Sequence, residues 1–158
     1  MNKLKETGVF IAFLALPLLI GVTASAATAS GVATWFPTLE KPFFNPPNWI
    51  FGPVWTVLYL LMGVSSYMVC RAPRSGSRQL GLDVYGVTLL LNFAWSFLFF
   101  YFQMPGVAFV EIILLWFWII VMIVFFYRTR PLAGLLQLPY LAWVTFASVL
   151  NGAIWWLN

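Results

Sequence analysis

The sequence has no histidine, a single cysteine and only four carboxylates among its 158 residues. A Ser-His-Asp triad needs an imidazole to carry the proton, and zinc sites need several cysteine, histidine or acidic ligands at set spacing. Neither kind of site can be assembled within this chain. The lone Cys70 also excludes an intramolecular disulfide, so cysteine indicates nothing about the redox compartment.

Charged residues are scarce as well, at 8% of the chain, against roughly a quarter in an ordinary soluble domain. Hydrophobic residues make up 63%. Because about 20 apolar residues cross a hydrocarbon core of ~30 Å, five spans with short connections would use nearly the whole chain. The sequence therefore predicts an all-α integral membrane protein, a five-transmembrane-helix bundle with one domain over residues 1–158. The predicted spans are about 7–28, 47–70, 80–102, 106–127 and 131–156, with a long proline-containing loop at about 29–46.

The basic residues are distributed unevenly between the two ends of this bundle. Seven of them fall on the side of the N-terminus, namely Lys3, Lys5, Arg71, Arg74, Arg78, Arg128 and Arg130. Only Lys41 falls on the other side. By the positive-inside rule the N-terminus is expected in the cytoplasm and the C-terminus outside. The net charge of +4 is thus explained by topology, and no nucleic-acid partner is expected.

The first span has two interpretations. Lys3 and Lys5, the apolar run after them and Ala24-Ser25-Ala26 fit a cleavable secretory signal. The apolar and small-residue stretch continues past Ala26, however, which favours a retained membrane helix. The N-terminus has too few arginine and serine residues for a typical transit peptide, so a bacterial cytoplasmic membrane is the expected location.

Tryptophan is the most informative residue type, with nine in the chain. Four of them, Trp35, Trp49, Trp155 and Trp156, lie at or near span ends, where an interfacial belt accounts for them. Five others lie well inside spans, where an indole N–H needs a protein or ligand partner. These are Trp55, Trp95, Trp116, Trp118 and Trp143.

Helical spacing places several of these rings on common helix faces. The three faces are Trp55, Tyr59 and Met62; Asn92, Trp95 and Phe99; and Tyr140, Trp143, Ala147 and Asn151. Two of the faces include an asparagine, whose amide is costly in hydrocarbon unless it points into the bundle. Such faces could line a cavity for a flat, largely apolar molecule. Simple packing of the rings against one another explains the spacing equally well.

Glu111 is a carboxylate within the fourth predicted span, and such residues are functional candidates by default. It lies only ~9 Å along the helix from Pro105. A structural or interfacial role, with the side chain reaching toward the outer interface, is therefore the favoured interpretation.

Taken together, the motifs resemble the tryptophan-rich sensory protein family, also called TspO/MBR, which includes the translocator protein or peripheral-type benzodiazepine receptor. The motifs are Leu39-Glu-Lys-Pro42, Pro46-Pro47, Trp55, Asn92-x-x-Trp95, Pro139-Tyr140-x-x-Trp143 and Asn151. The resemblance covers nearly the whole chain. It implies a five-helix bundle, often a homodimer, whose first loop closes over a pocket that binds porphyrins, sterols or synthetic ligands.

The resemblance also implies roles for particular residues. Trp55 and Trp143 match two pocket tryptophans that some relatives use in porphyrin breakdown, and Asn92 matches a pocket asparagine. Trp35 and Phe36 match aromatic residues of the lid loop. With the helix faces, these give the expected ligand-binding set: Trp35, Phe36, Trp55, Asn92, Trp95, Tyr140, Trp143 and Ala147. No Tyr and Arg follow Asn151, so sterol binding through the cholesterol-recognition segment of animal members is not expected.

Three functions remain open at this stage. The first is a membrane receptor, sensor or carrier for a porphyrin-like ligand of the protoporphyrin IX type, which needs no cofactor. Because the chain has no histidine for haem iron, a metal-free porphyrin is expected, although Cys, Met or Tyr could serve as an iron ligand. The second is an enzyme that degrades porphyrin with light, using Trp55 and Trp143. The third is a non-catalytic interaction scaffold in the membrane.

Overall fold

A computed structural model describes residues 2–158 and has five helices long and apolar enough to cross a membrane. The predicted five-helix membrane bundle is confirmed. The helices are α1 (Lys3–Ser30), α2 (Phe51–Cys70), α3 (Gly76–Ser96), α4 (Pro105–Thr129), α5 (Pro131–Leu135) and α6 (Leu138–Leu157), and α5 and α6 together form the fifth span. Helix α3 begins earlier than the predicted residue 80, because the Ser75 hydroxyl accepts a hydrogen bond from the Arg78 backbone N–H at 3.1 Å and caps the helix.

The first helix continues into the region where the sequence predicted a loop. A π-helical turn (Gly31–Trp35) and a 3₁₀ turn (Phe36–Thr38) follow α1 directly. The prediction of a loop from residue 29, with Trp35 and Phe36 in it, was therefore wrong at its N-terminal end. No proline occurs between Pro17 and Pro37, so nothing in this stretch stops helical winding before Pro37.

The fifth span is interrupted, whereas the sequence predicted one helix over residues 131–156. Helix α5 ends at Leu135 and α6 starts at Leu138. Pro139 has no N–H to bond to residue 135, and its ring crowds that carbonyl, which favours a new helix that starts here with the proline in its first turn. The fully buried Gln137 lies in the break, where its side-chain amide donates a hydrogen bond to the Ser65 hydroxyl of α2.

The helix pairs α3–α4, α1–α2 and α4–α6 pack most extensively. On the α1–α2 contact, a Cβ built on Gly63 would lie 2.7 Å from the Phe13 carbonyl oxygen and 2.8 Å from the Leu14 Cα. The two backbones therefore touch at Gly63, as small residues allow in membrane helices. The fully buried side chains of the core include Met62, Ile112, Leu115, Ile119, Met122 and Phe126.

Side-chain contacts tie the connections together at both ends of the bundle. Arg71, just after α2, forms an ion pair with Glu6 near the start of α1 at 2.7 Å. At the opposite end, Asn158 at the end of α6 binds the backbone of Glu40 in the first loop. The first loop and the end of α6 thus lie at one end, and the start of α1 lies at the other.

Candidate functional site

A cavity of about 380 Å³ lies between α1, α2, α3 and α6, and we call it the aromatic cavity. Its wall runs along the first helical segment, which is α1 with the two helical turns after it, from Leu18 to Phe36. This length is about 27 Å at a rise of 1.5 Å per residue. Its outer end is lined by Phe36, Asn48, Phe51 and Ile154, at the end of the bundle where the first loop lies. The volume falls within the usual range for small-molecule sites, about 300–1,000 Å³.

Three tryptophans from three different helices line the cavity wall. The Trp55 ring of α2 stacks on Tyr59 with ring centroids 5.5 Å apart, and Trp95 of α3 stacks on Phe99 at 5.4 Å. Trp143 of α6 meets Phe51 edge to face at 5.9 Å. Each indole is therefore held by a neighbouring ring while part of it remains on the cavity wall.

The structure brings six of the eight sequence-predicted site residues to this wall: Phe36, Trp55, Asn92, Trp95, Trp143 and Ala147. The other two lie elsewhere. Trp35 packs edge to face on Phe99, with ring centroids 5.6 Å apart, and is not on the wall. Tyr140 is buried behind Asn92 and is not on the wall. It lies three positions before Trp143 on α6, and side chains three positions apart on a helix point in neighbouring but different directions.

A chain of hydrogen bonds lies behind the deep part of the wall. The Asn92 amide donates to the Tyr140 hydroxyl oxygen at 2.8 Å, and the Tyr59 hydroxyl donates to the Asn92 carbonyl oxygen at 3.4 Å. All three residues are buried. Asn92 thus has partners for both its functional groups within the protein, and its amide keeps one further N–H and one further lone pair.

Asn151 joins three helices at the outer part of the site. Its side-chain carbonyl accepts a hydrogen bond from the Trp95 indole N–H at 2.9 Å, and its amide donates to the Pro105 carbonyl oxygen at 2.8 Å. The interaction fixes the orientation of the Trp95 ring on the cavity wall. It also connects α6 to the start of α4 through the Pro105 carbonyl.

Comparison with known proteins matches residues 13–157 to the TspO/MBR family. The chain belongs to the TspO/MBR family. It is 44% identical over 158 residues to the tryptophan-rich protein TspO of Archaeoglobus fulgidus, covering 100% of this chain and 99% of that protein. It is 35% identical over 147 residues to the translocator protein of Sus scrofa, covering 92% and 87% of the two chains. It is 31% identical over 146 residues to the tryptophan-rich sensory protein of Cereibacter sphaeroides, covering 92% and 89%.

The contribution of α1 to the cavity of this TspO/MBR protein was missed at the sequence level. Helix α1 and its continuation supply Leu18, Gly21, Val22, Ala24, Ser25, Thr28 and Val32 to the wall. None of these is aromatic, so a search for tryptophan faces passes over them. The available signal was Ser25 and Thr28, two of the hydroxyl residues of α1, which lie three positions apart on one side of the helix.

Trp143 separates the aromatic cavity from a second, lipid-facing groove between α2 and α6. That groove is lined by Pro53, Val54, Val57, Leu58, Pro139, Ala142 and Trp143, all of them apolar. The Trp143 indole N–H is buried without a hydrogen-bond partner within residues 2–158. Unlike Trp95, this ring is therefore oriented by packing alone.

The cavity wall has almost no ionisable groups for acid–base catalysis. Among the residues that the structure describes, Tyr59 is the one ionisable side chain on the wall. Glu111 is not on the wall, and both its carboxylate oxygens are buried without a hydrogen-bond partner in residues 2–158. The interfacial part of the interpretation of Glu111 is thus wrong, because its position on α4 turns the carboxylate into the protein. A structural role of Glu111 stays a prediction. Over the same residues no group of three His, Cys, Asp or Glu side chains could hold a metal ion.

The first loop is fastened to α6 at Glu40. The Glu40 backbone N–H donates to the Asn158 side-chain carbonyl at 3.0 Å, and the Asn158 amide donates to the Glu40 carbonyl oxygen at 3.0 Å.

We expect Asn158→Ala to speed hydrogen exchange of the Glu40 amide about tenfold, because the N–H loses its partner. Mass-spectrometric or NMR exchange of the ligand-free protein in nanodiscs measures this. Glu40→Gln is the matched control, since only the backbone of residue 40 is bound; equal effects of the two variants would contradict the prediction.

Proposed function

We propose that this protein is a membrane receptor or carrier that binds a planar, largely apolar ligand of the porphyrin type in the aromatic cavity. Its membership of the TspO/MBR family supports a receptor or sensor role in the membrane. One observation supports the ligand class. Trp55, Trp95 and Trp143 approach one apolar cavity from three different helices, so that a flat molecule can contact more than one indole at once.

The chemistry of the wall favours binding by stacking and dispersion. Aromatic rings attract a flat conjugated ligand through their faces, and each close-packed atom pair adds a small dispersion term. The chain has no histidine, so a porphyrin would lack an axial imidazole, and the metal-free form is the favoured ligand. Asn92 and the hydroxyls of Ser25 and Ser96 are among the polar groups of the wall that could fix its orientation.

The proposal includes an orientation in the membrane. Seven basic residues lie at the end where α1 begins, and Lys41 lies at the other. We place the α1 end in the cytoplasm, according to the positive-inside rule. The outer end of the aromatic cavity would then face away from the cytoplasm. The homodimer stays a prediction, and the light-dependent enzyme and the interaction scaffold stay alternatives.

Titration of protoporphyrin IX into the protein in nanodiscs, in the dark, tests the proposal. Binding is followed by the porphyrin absorbance, so that replacing tryptophans does not alter the probe. We expect saturable binding, weakened about tenfold in the Trp55→Phe/Trp143→Phe double variant, because two large indole surfaces are replaced by smaller rings. Circular dichroism and thermal unfolding establish that the variant is folded.

The matched control is the Trp49→Phe/Trp156→Phe double variant. These two tryptophans are 74% and 89% exposed and do not line the aromatic cavity. Their replacement should leave the affinity unchanged. An equal loss in both double variants, or absorbance changes that do not saturate beyond those of empty nanodiscs, would contradict a specific aromatic site.

A further inference from the structure

The wall of the aromatic cavity is exposed on one side of the bundle. In the described part of the chain, the exposed wall residues belong either to the first helical segment or to α2 and the 3₁₀ turn before it (Asn48–Ile50). They are Val22, Ser25 and Val32 on the first side, and Asn48, Gly52 and Thr56 on the second. The residues that α3 and α6 contribute to the wall are buried or half-buried. The cavity therefore reaches the surface of the bundle between α1 and α2.

The path of α1 explains this opening. Gly63 of α2 touches the backbone of α1, and Gly21 of α1 lies against the Tyr59 ring of α2. Farther along, the first helical segment leans toward the end of α3, where Gly31 lies against the Phe100 carbonyl. The first segment and α2 are thus in contact in their inner parts and diverge toward the first loop. We call the gap between them, bounded by the six exposed wall residues, the lateral slot.

The lateral slot is open space at the depth of the hydrocarbon. A Cβ built on Gly52 meets nothing within 4 Å, although Gly52 lines the cavity. The α1 side of the slot runs from Val22 to Val32, which is about 15 Å at a rise of 1.5 Å per residue. Val22 and Ser25 lie within the first span predicted from the sequence, about residues 7–28. At this depth the slot faces acyl chains.

The wall beneath the first loop is closed by comparison. Phe36 and Ile154 line the outer end of the cavity and are 6% and 1% exposed. The two hydrogen bonds between Asn158 and Glu40 hold the first loop to α6 at the same end. A ligand that arrived from the water would have to displace this loop, whereas the lateral slot requires no such movement.

We propose that the ligand enters the aromatic cavity sideways from the bilayer, through the lateral slot between α1 and α2. A largely apolar ligand is more stable in hydrocarbon than in water, so it is concentrated where the slot opens. On this route the ligand passes from acyl chains to the aromatic wall without crossing water. The inference rests on the proposed function and adds to it the path that the ligand takes.

Ala29 allows the slot to be obstructed without a change in the cavity wall. It is exposed and does not line the cavity. Val22, Ser25 and Ala29 follow one another at three- and four-residue spacing, so Ala29 lies on the face of α1 that borders the slot. Ala27 is also exposed and absent from the wall, and it points to the opposite side of the helix. Ala27→Trp is therefore the matched control for Ala29→Trp.

The test measures the association rate constant and the Kd of protoporphyrin IX with the protein in nanodiscs. Stopped-flow porphyrin absorbance under weak monitoring light gives the rate constant, and titration in the dark gives the Kd. In Ala29→Trp we expect association to slow about tenfold while the Kd changes less than about twofold, because the indole obstructs the path but does not touch the bound ligand. Ala27→Trp should change neither quantity, and circular dichroism establishes that both variants are folded.

Asn158→Ala tests the competing route, because it releases the first loop from α6. We expect its association rate constant to equal that of the wild type. If the wild type saturates and Ala29→Trp associates as fast as Ala27→Trp, or Asn158→Ala accelerates association, the lateral route is overturned while the binding site stands. A weaker Kd of Ala29→Trp at an unchanged association rate also overturns it, since the indole then acts on the bound ligand. If the wild type shows no saturable binding, the proposed function fails and the lateral route fails with it.

Discussion

Replacing Gly63 with alanine is expected to destabilise the bundle by about 3 kcal/mol, because the new methyl group has no room. A Cβ at this position would lie 2.7 Å from the Phe13 carbonyl oxygen and 2.8 Å from the Leu14 Cα. Both are backbone atoms of α1, so no side chain can rotate away to make space. Helices α1 and α2 would have to separate, and packing along that contact would be lost.

Equilibrium unfolding in mixed detergent micelles, followed by circular dichroism, measures this effect. Gly86→Ala on α3 is the matched control, since a Cβ there meets nothing within 4 Å. That variant should be neutral or up to about 1 kcal/mol more stable, because alanine favours helix over glycine. A Gly63→Ala protein as stable as Gly86→Ala would show that α1 and α2 are not in backbone contact at this point.

Asn151→Leu is expected to lower stability by about 2 kcal/mol and to weaken ligand binding. The substitution removes two interhelical hydrogen bonds and leaves the Trp95 indole N–H without a partner in an apolar environment. The Trp95 ring would no longer be fixed on the cavity wall, so part of the stacking surface would be lost to rotation. Unfolding in micelles measures the loss of stability, and porphyrin titration in nanodiscs measures the loss of affinity.

A double-mutant cycle with Trp95→Phe isolates the hydrogen bond from other effects of Asn151→Leu. Phenylalanine keeps a ring on the wall but has no N–H to leave unpaired. In the Trp95→Phe background, Asn151→Leu should therefore cost about 1 kcal/mol less than in the wild type. Strict additivity of the two substitutions would mean that the Trp95–Asn151 contact contributes nothing to stability.

The number of spans was predictable from the sequence, because long apolar runs interrupted by proline and charge leave few alternatives in a bilayer. The continuation of the first helix through Trp35 was not predictable from the sequence, because small residues such as Gly31 suit a loop as well as a helix. There a Cβ on Gly31 would collide with the Phe100 carbonyl, so the close approach of two segments decides the outcome. Such contacts join residues far apart in the sequence and leave no local pattern.

The site was predictable to the extent that it is aromatic and periodic. The spacing from Trp55 and from Asn92 placed these residues on inward faces, and both are on the cavity wall. Periodicity could not distinguish the wall from the layer behind it, so Tyr140 was grouped with Trp143 although it is buried behind Asn92. The bonds between Asn158 and Glu40 join residues 118 positions apart and have no sequence signature.

The length of the first helical segment determines how the protein meets bilayers of different thickness. Helix α1 alone has 28 residues, or about 42 Å, and winding continues to Thr38. A hydrocarbon core of ~30 Å is shorter than this, so the segment must tilt or extend into the headgroup layer. With its start held to α2 through Glu6 and Arg71, the excess length lies toward Phe36 and the outer end of the cavity. Hydrophobic mismatch would therefore act on the end of the cavity that Phe36 lines, and membrane thickness would influence the shape of the site there.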